Sequence, residues 1–200
     1  MDEIASITAP AATATAAVSV NPLRALAAAS HDVAAARLVP LGPAARLAFR
    51  GREAAIGPVG EAFGVALPRE ACRRAEANGR AALWLGPDEW ILLAPGADPT
   101  PLFAAIDSAA AGLPHSLVDV SSRSVGIEIS GPRAAFVLNQ GNPLDLSLET
   151  FPVGMCTRTV FHKAEIVLSR VAPETFHIDV WRSFAPYVWE LLEEGRRELA

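Results

Sequence analysis

One stretch of this chain is written twice. Leu47-Ala48-Phe49-Arg50-Gly51-Arg52-Glu53-Ala54-Ala55 is echoed by Ile127-Glu128-Ile129-Ser130-Gly131-Pro132-Arg133-Ala134-Ala135. Each copy runs from an apolar strand through a glycine into an Ala-Ala helix start. Each is followed, after a loop, by paired strands and then a helix. The repeat suggests an α+β fold of two related units of ferredoxin-like type, each an antiparallel sheet backed by helices. The units are expected to meet near Leu117–Ser124.

Local patterns supply the elements. Ala45–Arg50 reads as a strand ending at Gly51, and Glu53 to Phe63 as a helix broken near Gly57-Pro58. Ala81–Leu85 and Trp90–Ala94 form a hairpin across Gly86-Pro87-Asp88-Glu89, where proline presets φ and Asp88 suits the bend. Pro101 to Ala111 carries Leu102, Ala105, Ile106 and Ala109 at helical spacing, with Gly112 at its end. In the second copy Val125, Ile127 and Ile129 alternate as a half-buried strand, and Arg133 to Asn139 is a helix. Two strands turn near Lys163-Ala164. Phe176, Ile178 and Val180 form another, with His177 and Asp179 on its opposite face. Ser183 is expected to cap a final helix through Phe184, Val188, Leu191, Leu192 and Leu199.

The organisation that follows is a flexible Ala-rich leader over 1–38, a first unit over 39–115 and a second over 116–200. Within the leader, 1–20 reads as a mobile tail, and a helix is allowed around Leu23–Leu38 after Asn21-Pro22. Alanine favours helix but offers little apolar area to hold one on a core.

Composition removes several functions. A net charge of −5 argues against a nucleic-acid binder that relies on bulk positive charge. No run of 18 apolar residues is free of charge and proline, so no membrane span is expected. Asp2 and Glu3 at the start do not make a secretory n-region, and Cys72 and Cys156 cannot form a disulfide framework, so a cytoplasmic setting is expected. The histidines His31, His115, His162 and His177 lack a second ligand at metal-binding spacing. Cys156 has no readable base or oxyanion hole and reads as a packed thiol, as does Cys72. Ser121, Ser122 and Ser124 show no nucleophile elbow, and His162, Lys163 and Glu165 read as turn residues. No glycine-rich nucleotide loop occurs.

Two kinds of residue remain. Asp119 could contact a cationic or amide group of a ligand, pair with Arg123, or direct a turn. The strands holding Trp84 and Trp90 are apolar on both faces and need two covers. Trp181 and Trp189 lie off the apolar stripes of their own elements. These four tryptophans are the candidates for a protein–protein interface.

Four segments in order carry a family resemblance. They are Leu85-Gly86-Pro87-Asp88-Glu89-Trp90-Ile91-Leu92, Val118-Asp119-Val120-Ser121 running on to Ile129-Ser130-Gly131-Pro132-Arg133-Ala134, Phe151 to Thr159, and Val180 to Trp189. Over roughly residues 38–200 the chain resembles the γ subunits of heterotetrameric sarcosine oxidases. The resemblance implies a fold related to the folate-binding aminomethyltransferases, the T-proteins of glycine cleavage. It implies α, β and δ partner subunits and a complex that oxidatively demethylates sarcosine to glycine. That complex would carry FAD, FMN, NAD and zinc in its other chains, use tetrahydrofolate as one-carbon acceptor, and leave this chain with a structural role and no cofactor. Asp119 then corresponds to a folate-like contact, since an Asp-x-Ser segment precedes the equivalent strand in those transferases. Two alternatives stand beside this reading: a stand-alone folate-binding one-carbon-transfer protein, and a subunit of a related N-methyl amino acid dehydrogenase.

Overall fold

Residues 20–199 are described by the computed structural model. In chain order the elements are α1 Arg24–Ala29, β1 Arg37–Pro40, β2 Ala44–Gly51, α2 Glu53–Phe63, β3 Arg74–Ala77, β4 Arg80–Gly86, β5 Glu89–Pro95 and α3 Pro99–Ala109. The second series is β6 His115–Asp119, β7 Ser124–Ser130, α4 Ala134–Asn139, β8 Cys156–Phe161, β9 Ala164–Ala172, β10 Thr175–Trp181 and α5 Ala185–Arg196, closed by a 3₁₀ turn, Arg197–Leu199. They build two five-stranded antiparallel sheets, ordered β3-β4-β5-β2-β6 and β1-β7-β10-β9-β8. The α+β architecture of two helix-backed antiparallel sheets is the one expected.

The repeat is visible in the registers. Phe49 stands opposite Trp90 in the first sheet, and Ile129 opposite Phe176 in the second. The leading strand of each series crosses over: β1 pairs with β7, and β6 pairs with β2. Each sheet therefore takes one edge from the other half of the sequence. Sheet membership does not follow a linear cut at 115/116.

Three apolar layers result. Under α2 and α3, Ala45, Leu47, Phe49, Trp90 and Leu92 pack with Val59, Phe63 and Ile106. Under α4 and α5, Ile127, Ile129, Phe176 and Ile178 pack with Leu138, Val188 and Trp189. Between the sheets, the opposite faces of β4 and β5 bring Ala81, Leu83 and Ile91 against Val120 and Cys156. The two-sided apolar strands thus find their second cover in the chain's own other sheet, which corrects the expectation that a partner must supply it. At one corner the sheets are stitched by an antiparallel bridge, Arg73 to Met155.

Other expectations are corrected on physical grounds. The described part of the leader is packed: Leu23 and Ala36 are fully buried, and only Arg24–Ala29 is α-helix, with Arg37–Pro40 paired as a strand. The clamp is buried Arg196, whose guanidinium donates to the carbonyls of Ala36 (3.0 Å) and His31 (2.9 Å) and to Ser30 Oγ (2.6 Å). Gly131 permits this approach; with φ +121°, a Cβ there would lie 2.7 Å from the carbonyls of Ala34 and Ala35. The mobile tail expected over 1–20 lies outside the described residues except for Val20. Helix α2 is unbroken through Pro58, because five buried residues, Phe63 among them, hold its inner face. Ser183 does not cap α5; Phe184 occupies that position. Trp189 is 1% exposed, inside the second core rather than off its helix's apolar stripe.

Trp189→Ala is expected to lower the unfolding free energy of the isolated chain by about 3–5 kcal/mol. Urea denaturation measures this, and an unchanged midpoint would contradict the core placement.

Candidate functional site

The seam between the sheets is where the two halves differ most. Arg46 lies on the seam face of β2, and Asp179 on that of β10. Arg46 Nε donates to Asp179 Oδ1 at 2.6 Å, with side chains 6% and 15% exposed. The residue equivalent to Arg46 in the repeat is Gly126. The two positions are matched by their bonds, since Leu41 N donates to Gly126 O (2.9 Å) and Val120 N to Arg46 O (2.8 Å). A Cβ on Gly126 would stand 2.9 Å from Leu41 Cδ1 and 3.2 Å from Arg46 Nη2. The glycine leaves the space that the single arginine fills, so one charge pair occupies the place where symmetry would put two arginines.

A cleft opens at each end of that pair. One, of about 360 Å³, lies among Leu41, Arg74, Leu93, Pro95 and His177. Its counterpart holds only about 40 Å³, because Ile91, Arg123, Arg158 and Trp181 crowd it. An ion pair, Arg158 Nη2 to Glu89 Oε1 at 2.6 Å, and a contact of His177 Nε2 with Glu128 Oε2 at 3.1 Å also tie this region. At the smaller cleft's rim the Arg123 guanidinium lies 5.8 Å from the Trp181 ring centroid.

Asp119 ends β6, exposed. Its Oδ1 accepts from Ser121 N (2.9 Å) and Ser121 Oγ (2.5 Å), while Ser121 Oγ accepts from Arg46 N (2.9 Å). Of the readings left open, the geometry forms the turn. Arg123 faces Trp181 instead of Asp119.

The tryptophans separate into two groups. Trp90 is buried in the first core, its Nε1 donating to Pro68 O at 2.8 Å, and Trp189 is buried in the second. Neither is presented to a partner, which corrects the interface expectation for both. Trp84 is half-buried opposite Trp90. Trp181 is 43% exposed.

Cys156 opens β8 and is fully buried; desolvation, with Cys72 beside it, pushes its thiol up to about 12. It is a packing residue, as its sequence context indicated. A hydrogen bond with Leu113 O, together with nearby Asp107, raises the His115 pKa above the usual imidazole value. His162 sits in a left-handed turn against Phe161. Among the described residues no three His, Cys, Asp or Glu side chains gather as metal ligands.

Several structural residues were absent from the sequence reading. Arg46 stood within an apolar alternation, the one available signal, but nothing named its distant partner. Arg170 is buried and donates to Phe151 O and Leu146 O, each at 2.7 Å, holding the loop before β8. Phe184 was read as a core position, yet it is 40% exposed.

Residues 42–198 match the sarcosine oxidase, gamma subunit family. The chain belongs to that family. The curated γ subunit of Corynebacterium sp. (strain P-1) is 32% identical over 142 residues, 70% of this chain and 68% of that one. The γ subunit of Corynebacterium sp. (strain U-96) is 30% identical over 189 residues, covering 90% and 91%. Among solved structures, heterotetrameric sarcosine oxidase from Corynebacterium sp. U-96 in complex with pyrrole 2-carboxylate matches with a TM-score of 0.83 at 27% identity, over 90% of this chain and 96% of that chain. The glycine cleavage system aminomethyltransferase T from Bartonella henselae shares the fold, with a TM-score of 0.59 at 19% identity over 80% of this chain and 45% of that one. The γ-subunit fold is thus related to that of the folate-binding transferases.

Arg46→Met strands the Asp179 carboxylate in the seam and is expected to cost about 3 kcal/mol in urea unfolding. Adding Asp179→Leu should recover most of the loss; a double variant no better than the single one would refute this account. In the folded chain, iodoacetamide at about pH 8 is expected to modify Cys72 and leave Cys156 intact, read by mass spectrometry.

Proposed function

We propose that the chain is the γ subunit of a heterotetrameric sarcosine oxidase, contributing shape and contact surface while sarcosine is oxidised in the other chains. The observation that carries this reading is the match, nearly end to end on both sides, to a chain of the Corynebacterium heterotetramer. What the described polar groups do supports a structural role. Arg46 and Asp179 are spent on each other, Arg170 and Arg196 hold backbone carbonyls, and Cys156 is held as a neutral thiol. In this reading the partners are α, β and δ chains, with flavin, NAD and zinc in those chains and tetrahydrofolate as the acceptor of the one-carbon unit. Ser121 engages only Oδ1 of Asp119, so a folate contact through this exposed carboxylate would fall to Oδ2.

Co-expression with the α, β and δ chains tests the proposal. The chain should co-purify in fixed stoichiometry, and sarcosine-dependent peroxide formation should belong to the assembly and not to the isolated chain. A chain that never associates, or one that turns over sarcosine alone, would end it.

A further inference from the structure

The two copies of the repeat place equivalent residues at the end of the last sheet strand and at the start of the helix that follows. In the first copy these are Pro95, opposite Ala44, and Asp98; in the second they are Trp181, opposite Ser124, and Phe184. Asp98 does what this position favours: its Oδ1 accepts from Thr100 N at 2.9 Å and caps α3. Phe184, whose backbone is helical where that of Asp98 is extended, precedes α5 without a capping bond; it is 40% exposed, with its ring edge-on to Tyr187 at 6.5 Å. Trp181 is 43% exposed where its counterpart is a proline. The other half is built without an aromatic at either place.

The two rings lie across one tight turn, closed by Phe184 N donating to Trp181 O at 2.8 Å. Arg182 N donates to Arg123 O at 2.8 Å, and this anchors the neighbouring turn beside it. Arg123 lies over the Trp181 ring, and among the described residues it has no carboxylate within ion-pair reach. Arg182 donates to the carbonyl of Val20, itself exposed, and likewise has no acidic partner among those residues. Two part-exposed aromatics flanked by two guanidiniums with no acidic partner among the described residues, where the other half carries Pro95 and Asp98, present apolar and cationic contact area together.

We propose that Trp181, Phe184 and Arg123 form the surface by which this chain docks on a larger subunit of the oxidase, against an apolar patch bearing a carboxylate that pairs with Arg123. Aromatic and arginine side chains are the usual anchors of such interfaces. This rests on the assembly reading above and specifies its contact face.

The test uses the full-length chain and the remaining subunits, co-expressed and immobilised. Phe184→Asp should weaken capture about tenfold while leaving the melting temperature of the isolated chain within about 3 °C of the wild type. Trp181→Ala and Arg123→Glu should weaken capture by about tenfold or more, and Arg123→Lys by clearly less than Arg123→Glu. If the wild-type chain is captured and all these variants are captured within about twofold of it, the assigned face is wrong and the assembly reading survives. If the wild-type chain is not captured, both fail. A wild-type chain that dimerises in sedimentation, and becomes monomeric with Trp181→Ala, would give the face to a second copy and overturn the proposal.

Discussion

The exchange of β1 and β6 sets the terms for everything else in this molecule. Each half of the sequence makes a sheet that lacks one edge, and each supplies that edge to the other. Unpaired strand edges are exposed donors and acceptors that must be satisfied somewhere. Here they are satisfied reciprocally, so neither half is complete without the other. The exchange also brings the inner faces of β4 and β5 against Val120 and Cys156, which is why strands apolar on both sides are tolerated in a chain of this length.

Within that frame the halves have diverged where they meet. A symmetric seam would place two arginines, or two glycines, across the pseudo-axis. Arg46 and Gly126 resolve this by complementarity: one side chain is long, the other absent, and the arginine reaches Asp179 through the space the glycine leaves. A buried charge pair is weak evidence for stability on its own. Its location matters more, because it fixes how the two sheets face each other and leaves one cleft open and the other nearly filled.

What could be read from the chain follows the range of the physics involved. The strand–glycine–helix repeat, the hairpin at Pro87-Asp88 and the alternation of Phe176, Ile178 and Val180 are local, and each is present in the structure. Strands β1 and β6 escaped notice because they are short edge strands whose partners lie far away in sequence, and β3, although it pairs with the adjacent β4, because Arg74-Ala75-Glu76-Ala77 has no strong apolar alternation. The same limit hid the roles of Arg46, Arg170 and Arg196. An arginine in an apolar context signals burial, but its acceptors here lie 133, 24 and 160 residues away. Trp189 misled for another reason. The spacing of Phe184, Val188, Leu191, Leu192 and Leu199 defines a stripe that leaves Trp189 out, whereas the helix packs through a wider face that includes the indole.

The internal repeat also supplies a control that a single domain lacks. When two segments of one chain adopt the same local geometry, a residue demanded by the backbone should recur in kind in both. Glycine recurs at 51 and 131, at the strand-to-helix turn, as that logic requires. The helix cap does not recur: Asp98 is extended and caps α3, whereas the backbone at Phe184 is already helical and makes no capping bond. Trp181 replaces Pro95 in the same register, and Arg46 replaces Gly126. The last of these differences is answered inside the molecule, by Asp179. At the first two the side chains stay about two-fifths exposed, Phe184 against Tyr187 and Trp181 against Arg123. Comparing the chain with itself separates the residues that fold it from those available for contact, without recourse to any second sequence.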